Sequence, residues 1–236
     1  NITGTLAANG GSQWSGWDGT LDLSQGTLEA AGGSLSLSDF ITGADSTLKL
    51  SADTEITSNT DYTFGTLELA GNKLIMGDSG GLTLPNELTM TAGSEIETRT
   101  SDLTLSSELE LSAGSITSTG GTLSFAGGLA VSGEGTMSVL DSTLSVSQNL
   151  DFISASFESS VLDLQGATTL SSNGPVSFKK VNLNNNVLTL GSATTHLKLT
   201  GSNETLNLDS LALETEAGSL TIAGALKLQN GSELNS

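Results

Sequence analysis

Residues 103–129 read LTLSSELELSAGSITSTGGTLSFAGGL, and this stretch decides the fold. Short apolar–polar–apolar steps such as Leu103-Thr104-Leu105 and Leu109-Glu110-Leu111 alternate with turns rich in Gly, Ser and Ala. Alternation over three to five residues is the pattern of a half-buried β-strand. Gly and β-forming residues interrupt every window long enough for a helix, so the sequence predicts an all-β chain.

These steps recur along the chain, and every third step matches best. The three series are Leu21, Ile41, Tyr62, Leu82, Leu103, Leu123, Leu144, Leu162; Leu28, Leu48, Leu67, Leu88, Leu109, Leu129, Leu150, Leu170; and Leu35, Ile56, Leu74, Ile96, Ile116, Met137, Phe157, Val176. Each series advances by about 20 residues per step, and three series share this one period. The pattern predicts a single-stranded parallel β-helix, a solenoid with three strands in each right-handed coil. At a strand spacing of about 4.8 Å, about 11 coils would fit between residue 20 and the end.

The domain prediction follows from the repeat. We expect one domain over residues 1–236, with an incomplete first coil or cap at 1–18, regular coils at 19–178 and less regular coils at 179–236. Pro85 and Pro175 should lie at strand ends, because proline cannot donate to a β-ladder. The apolar residues after the third series have no clear place in it; they are Leu183, Leu188, Leu197, Leu206, Leu213, Leu220, Leu226 and Leu234.

Composition excludes several functional classes. The formal charge is −19 and the chain has one arginine, Arg99, so it lacks the basic surface that nucleic acid binding needs. It has no cysteine, which excludes disulfides and Cys-ligated metal sites. No apolar run approaches the roughly 18 residues of a membrane span. The first residues, beginning at Asn1, show no secretion signal, and we expect a mature segment of something longer. No cofactor is expected.

Two short motifs resemble functional sites but have simpler interpretations. The sequence Gly77-Asp78-Ser79-Gly80-Gly81 matches the nucleophile motif of chymotrypsin-like proteases. The one histidine, His196, comes about five coils later, too far for a triad, so we favour a Gly-rich corner. Lys179-Lys180 is too short for a basic patch.

Acidic residues flank the second series at Glu68, Glu87, Glu108 and Glu110. We expect Glu87 and Glu108 to be neighbours about 5 Å apart, a spacing at which a divalent cation would relieve their repulsion. A solvated charged face is the interpretation that we favour, and a cation site and a catalytic acid pair are the alternatives.

Hydroxyl side chains and two tryptophans are further candidates. An outward row at Thr83, Thr104, Ser124 and Ser145, with Thr122 and Thr143 beside it, suggests an ice-binding face, but its irregularity favours ordinary solvent-facing strand residues. Trp14 and Trp17 could stack on sugar rings, and we favour a plug over the open end of the core.

The Gly-flanked steps resemble a known family. Stretches such as Gly121–Leu129 and Glu108–Ile116 are similar to repeats of bacterial surface β-helices, the filamentous haemagglutinin-like exoproteins and autotransporter passenger domains. The resemblance covers roughly residues 19 to 178. It implies a secreted or surface-displayed rod that forms one section of a larger adhesin or filament.

We therefore expect a non-enzymatic structural or adhesive rod segment of a secreted or cell-surface bacterial protein. The expected partners are other segments of the same protein, stacked copies of this chain, and host or environmental glycans; nucleic acid and membrane insertion are not expected. The alternative is a polysaccharide-binding or polysaccharide-degrading β-helix resembling lyases, hydrolases or tailspikes. That chemistry needs bases or clustered acids in a groove, and coils of uniform length leave little relief to build one.

Overall fold

The computed structural model describes residues 3–9, 21–37, 40–57, 60–77, 80–202, 205–209, 212–222, 225–229 and 233–235. The described elements are all strands, stacked in parallel as a β-solenoid of about nine turns with a spacing of about 20 residues. The predicted all-β parallel solenoid is thus confirmed, while its right-handed winding stays a prediction. None of the described residues forms a helix that is long and apolar enough to cross a membrane.

The strands are short except where a corner is missing. The first twelve are β1 (Thr5–Asn9), β2 (Leu21–Asp22), β3 (Thr27–Ser36), β4 (Phe40–Ile41), β5 (Thr47–Thr57), β6 (Tyr62–Thr63), β7 (Thr66–Glu68), β8 (Lys73–Met76), β9 (Leu82–Leu84), β10 (Glu87–Thr89), β11 (Glu95–Glu97) and β12 (Leu103–Leu105). The next twelve are β13 (Leu109–Leu111), β14 (Ser115–Ser118), β15 (Thr122–Phe125), β16 (Leu129–Val131), β17 (Thr136–Val139), β18 (Thr143–Val146), β19 (Leu150–Phe152), β20 (Ala155–Ser156), β21 (Val161–Leu164), β22 (Thr168–Ser172), β23 (Pro175–Phe178) and β24 (Lys180–Asn182). The last five are β25 (Leu188–Leu199), β26 (Thr205–Asp209), β27 (Ala212–Ile222), β28 (Ala225–Gln229) and β29 (Glu233–Asn235).

The chain forms two compact units. The first unit is Asn1–Ser107 with Ala113–Thr122, and the second is Glu108–Ser112 with Leu123–Ser236. The expectation of a single domain with its internal boundaries stays a prediction.

The first unit contains a forked sheet. Its strand order is β1-β3-β5-β8-β11-β14, and a branch β5-β7-β10 leaves from the same long strand. The first half of β5 pairs with β7 and its second half pairs with β8. In the next coil, a corner at Gly71 separates β7 from β8, so these two strands pair with different halves of β5. The φ of Gly71 is 84°, which suits glycine. Strands β6-β9-β12 form a second sheet.

In the second unit, the coils between Leu129 and Asn182 contain three strands each, as predicted, whereas the long strands β25 and β27 leave two strands in each later coil. The coil that begins at Leu129 contributes β16, β17 and β18 to three different sheets, and the next coil adds β19, β20 and β21. One sheet runs β13-β16-β19-β22-β25-β27-β29, another runs β15-β18-β21-β24, and β17-β20 is the third. Pro85 directly follows β9 and Pro175 opens β23, so both prolines lie at strand ends as expected.

Inward side chains stack in columns. Leu109, Leu129, Leu150 and Leu170 are register partners in successive coils, and each is at most 3% exposed. Burying one such side chain contributes about 1.5–3 kcal/mol. Aromatic rings continue the core of the second unit, where Phe157 packs between Phe152 and Phe178 at ring-centroid distances of 4.9 and 4.7 Å.

Some predicted register partners are wrong. Leu21 pairs with Phe40 and Asp22 with Ile41, so Ile41 faces outward and is 47% exposed. A shift of one residue moves a side chain to the other face because strand side chains alternate.

Two further shifts preserve burial. Ile56 pairs with Met76 instead of Leu74, and Met137 pairs with Ala155 instead of Phe157. Each shift is two residues, so Leu74 and Phe157 stay buried on the inward face.

The second series is divided between sheets. Leu88 belongs to β10 of the forked sheet, whereas Leu109 begins β13 of a different sheet. The structure also gives backbone register partners to the leucines near the C-terminus. Leu213 pairs with Leu188 and Leu234, Leu197 pairs with Val176 and Leu220, and Leu206 pairs with Leu226.

Candidate functional site

An ion network covers part of the forked sheet in the first unit. Lys73 Nζ lies 2.7 Å from Glu97 Oε2 and 3.0 Å from Glu95 Oε1. The Arg99 guanidinium contacts Glu97 at 3.1 Å and Glu55 at 2.8 Å. Glu55 is on β5, Lys73 is on β8 and both other glutamates are on β11, so the network joins three successive strands.

The network shifts the pKa values of Glu97 and Lys73. The hydrogen bond from Lys73, followed by that from Arg99, holds the pKa of Glu97 below its ordinary value. The hydrogen bond to Glu97 raises the pKa of Lys73. Both shifts favour the charged forms, which is typical of a paired structural site. The sequence shows that these charged residues are present, but it does not show which of them lie side by side on adjacent strands.

Three exposed carboxylates and one amide link successive coils. Asp53, Asp61, Asp102 and Asn149 each accept a hydrogen bond from a backbone N–H 20 residues later, at distances of 2.8, 2.7, 2.6 and 3.2 Å. An exposed acidic side chain thereby satisfies a donor in the next coil. The exact spacing of 20 residues is a signal in the sequence that could have revealed these bonds.

The protease-like motif lies between β8 and β9 in the sequence. The N–H of Gly77 donates to the Ile56 carbonyl at 2.8 Å, the Gly77 carbonyl accepts the Ser101 hydroxyl, and the N–H of Gly81 donates to Asp61. Asp78 and Ser79 lie outside the described residues. The described flanks of the motif therefore hold successive coils together.

Register separates two of the acidic candidates, Glu68 and Glu87. Glu68 pairs in register with Lys49 and Thr89, while Glu87 pairs with Thr66. Glu108 and Glu110 are exposed residues of the second unit. Among the described residues, no group of three or more His, Asp or Glu side chains is placed to hold a metal ion. The Glu87/Glu108 cation site stays a prediction.

Hydroxyl side chains form outward columns, although not one uniform array. Thr63, Thr83 and Thr104 are register partners in the first unit. In the second unit, Ser145 pairs with Asp163, which pairs with Asn182, so charge and amide interrupt the hydroxyls. Trp14 and Trp17, the sugar-stacking or plug candidates, lie outside the described residues.

A cleft of about 350 Å³ opens on the second unit. It is lined by Ala155, Ser156, Phe157, Glu158, Ser159, Pro175, Ser177 and Thr200. The coil is shorter here, since Met137 and Ala155 are partners only 18 residues apart. Strand β20 consequently ends its sheet, while β23 pairs with β25 in another sheet. This difference of two residues is within the variation of coil length that the sequence predicts for the central region.

Three basic residues are neighbours of cleft-lining residues, two by register on β25 and one directly after β23. His196 is the register partner of Pro175, and Lys198 is the partner of Ser177. Lys179 follows Phe178 directly, and its carbonyl accepts the N–H of Gly201. His196 Nδ1 lies 2.6 Å from the hydroxyl of Ser219. In the sequence these residues are only a lysine dipeptide, a separate lysine and a lone histidine. Their proximity depends on the coil register, so the sequence alone does not show it.

Comparison with protein-family models, curated proteins and solved structures found no match for this chain.

Proposed function

We propose that this chain is a structural or adhesive segment of a secreted or cell-surface bacterial protein and that it acts without catalysis. The observation that carries the proposal is that its exterior polar side chains connect one coil to the next. Asp61 and Asp102 bind backbone donors of the next coil, and Arg99 joins two other strands. A surface organised to connect coil to coil suits a mechanical or spacing role.

Charge supports an extracellular setting for such a segment. At a formal charge of −19, copies of the chain repel one another, which favours solubility and disfavours lateral association. The absence of cysteine places no demand on oxidative folding during export. The β-solenoid also agrees with the fold of the surface β-helices that the repeats resemble.

The alternative is a polysaccharide-degrading β-helix. Glycoside hydrolysis uses two carboxyl groups on either side of the scissile bond. The cleft of the second unit has one carboxylate in its described lining, that of Glu158. The proposal of a non-catalytic segment is therefore the better supported one.

Adhesion and mechanical function can be tested on the purified chain. We expect beads coated with it to bind bacterial or host cell surfaces, or a glycan array, above beads coated with an acidic globular protein of equal charge. Under force, we expect stepwise unfolding at loads above those of that control. Weak mechanical resistance together with no adhesion contradicts the proposal, and so does release of new sugar ends from a panel of polysaccharides.

A further inference from the structure

The basic groups beside the cleft lie on one outward face. His196 and Lys198 of strand β25 and Thr200, which directly follows it, are exposed, while Leu197 and Leu199 between them are buried. Their neighbours across the ladder are Pro175 and Ser177 of β23. Adjacent strands are about 4.8 Å apart, so a lysine on this face spans the distance to the cleft lining. Two lysines and a histidine are thus neighbours of cleft-lining residues in a strongly acidic chain.

The lysines at the cleft differ from the cations of the first unit. Lys49, Lys73 and Arg99 all contact glutamates. Within the part of the chain that the structure describes, neither Lys179 nor Lys198 forms an ion pair with a carboxylate. Their charge is consequently not neutralised by a described neighbour, and it can attract an anion.

The cleft itself is mixed in character. Ser177 and Thr200 bring hydroxyls on the side of the lysines, and Glu158 brings a carboxylate on the side of β20. A simple anion would be attracted by the lysines and repelled by Glu158. A sugar that carries a carboxylate suits both sides of the cleft. Its carboxylate can accept hydrogen bonds from the lysines, while its hydroxyls donate to Glu158. A volume of 350 Å³ is within the range of small-molecule sites.

We propose that this cleft binds an acidic saccharide, with Lys198 and Lys179 holding its carboxylate and Glu158 accepting hydrogen bonds from its hydroxyls. The inference rests on the proposed adhesive function, since it names the ligand class of that function. Binding requires no covalent step and no metal.

The test compares methyl glucuronide with methyl glucoside by NMR titration of the labelled chain. We expect saturable shifts of the Ser177 and Thr200 amides, and about fivefold tighter binding of the glucuronide. Lys198→Gln should weaken glucuronide binding about threefold to fivefold, and the double variant with Lys179→Gln about tenfold. Glu158→Ala should weaken the binding of both glycosides to a similar extent, because it removes the acceptor of the sugar hydroxyls.

Lys49→Gln is the matched control, since it removes a cation from the first unit and should leave the affinity unchanged. Equal affinities for the two glycosides, or equal losses in Lys49→Gln and Lys198→Gln, would overturn the inference. If the chain adheres but does not bind the glucuronide, this inference is wrong and the adhesive function is unaffected. If it binds the glucuronide but does not adhere, the adhesive function is wrong and the binding site remains supported.

Discussion

At the scale of single residues, alternation separates the core from the solvent. Leu109 is 3% exposed and Leu111 is fully buried, while Glu110 between them is exposed. One position thus decides whether a side chain joins a packed column or the solvated face. Each column tolerates only apolar groups, because a charge in it would have no partner.

Substitution at neighbouring positions 109 and 110 should have opposite consequences. Leu109→Asp buries an unpaired carboxylate and should lower the free energy of unfolding by about 4 kcal/mol or more, while Glu110→Ser should change it by less than about 0.5 kcal/mol. Urea denaturation measures both. If Glu110→Ser were the more damaging change, the assignment of inward and outward faces would be wrong.

Close backbone approach leaves no room for a side chain at Gly135. A Cβ at Gly135 would overlap the carbonyl oxygen of Leu111, whereas nothing lies within 4 Å of a Cβ at Gly174. Gly135→Ala should therefore cost about 2–3 kcal/mol of unfolding free energy through steric strain. Gly174→Ala should be neutral or slightly stabilising, because it restricts the unfolded chain. Equal melting temperatures for the two variants would contradict this packing.

At the scale of elements, corners and strands are joined by side chains that look merely solvated in the sequence. The carboxylate of Asp102 accepts from the N–H of Thr122, while its backbone carbonyl accepts from Leu82. The same residue therefore contacts the coils on both sides. Such bonds hold a corner in place where the ladder is interrupted.

The corner bond can be isolated by two substitutions. Asp102→Ala removes the acceptor and should cost about 1 kcal/mol, while Asp102→Asn keeps an acceptor and should retain most of that stability. Denaturant midpoints, together with amide exchange at Thr122, measure the effect. Faster exchange at Thr122 is expected only in the alanine variant; unchanged exchange there would show that the bond has no role.

The ion network should stabilise the protein over a defined pH range. The pKa of Glu97 is lowered in the folded state, so its contribution is present above the ordinary value of 4.5 and is lost as the pH falls through the folded pKa. The pKa of Lys73 is raised, so its contribution is present below 10.5 and is lost as the pH rises further.

Glu97→Gln measures the contribution of the network. At neutral pH the variant should be less stable by about 0.5–1 kcal/mol, and the difference from the parent should shrink at strongly acidic pH. Denaturant titrations of both proteins across the acid range provide the comparison, and Glu110→Ser serves as a control for the loss of one exposed carboxylate. A difference that stays constant down to strongly acidic pH would rule out the pairing.

At the scale of the whole molecule, net charge opposes folding. The 26 acidic residues exceed the 7 basic ones, so the compact chain repels itself. Local pairs such as Lys73–Glu97 offset only part of that repulsion.

Salt should therefore stabilise this protein. Between about 0.01 M and about 0.1 M NaCl the Debye length falls from about 30 Å to about 10 Å, which screens long-range repulsion more than close ion pairs. We expect the melting temperature to rise by about 2–4 °C. Calorimetry at matched pH checks it, with sucrose of equal osmolality as the control; a fall in melting temperature would mean that the ion pairs dominate.

The sequence by itself determined the fold class. The alternation of apolar and polar residues and the period of about 20 residues are local signals that recur along the chain. Stacking equivalent residues of successive coils on one another is the arrangement that buries the apolar residues of every strand. The columns through Leu48, Leu129 and Ile96 follow directly from that period.

Only the tertiary structure decided the exact register and the sites. A one-residue shift turned Ile41 outward, and a coil two residues shorter opened the cleft beside Glu158. The same register brought Arg99 to Glu55, 44 residues away, and Lys198 beside Ser177. These contacts join different coils, so they depend on the summed lengths of the intervening turns, which a pattern averaged over many repeats does not resolve.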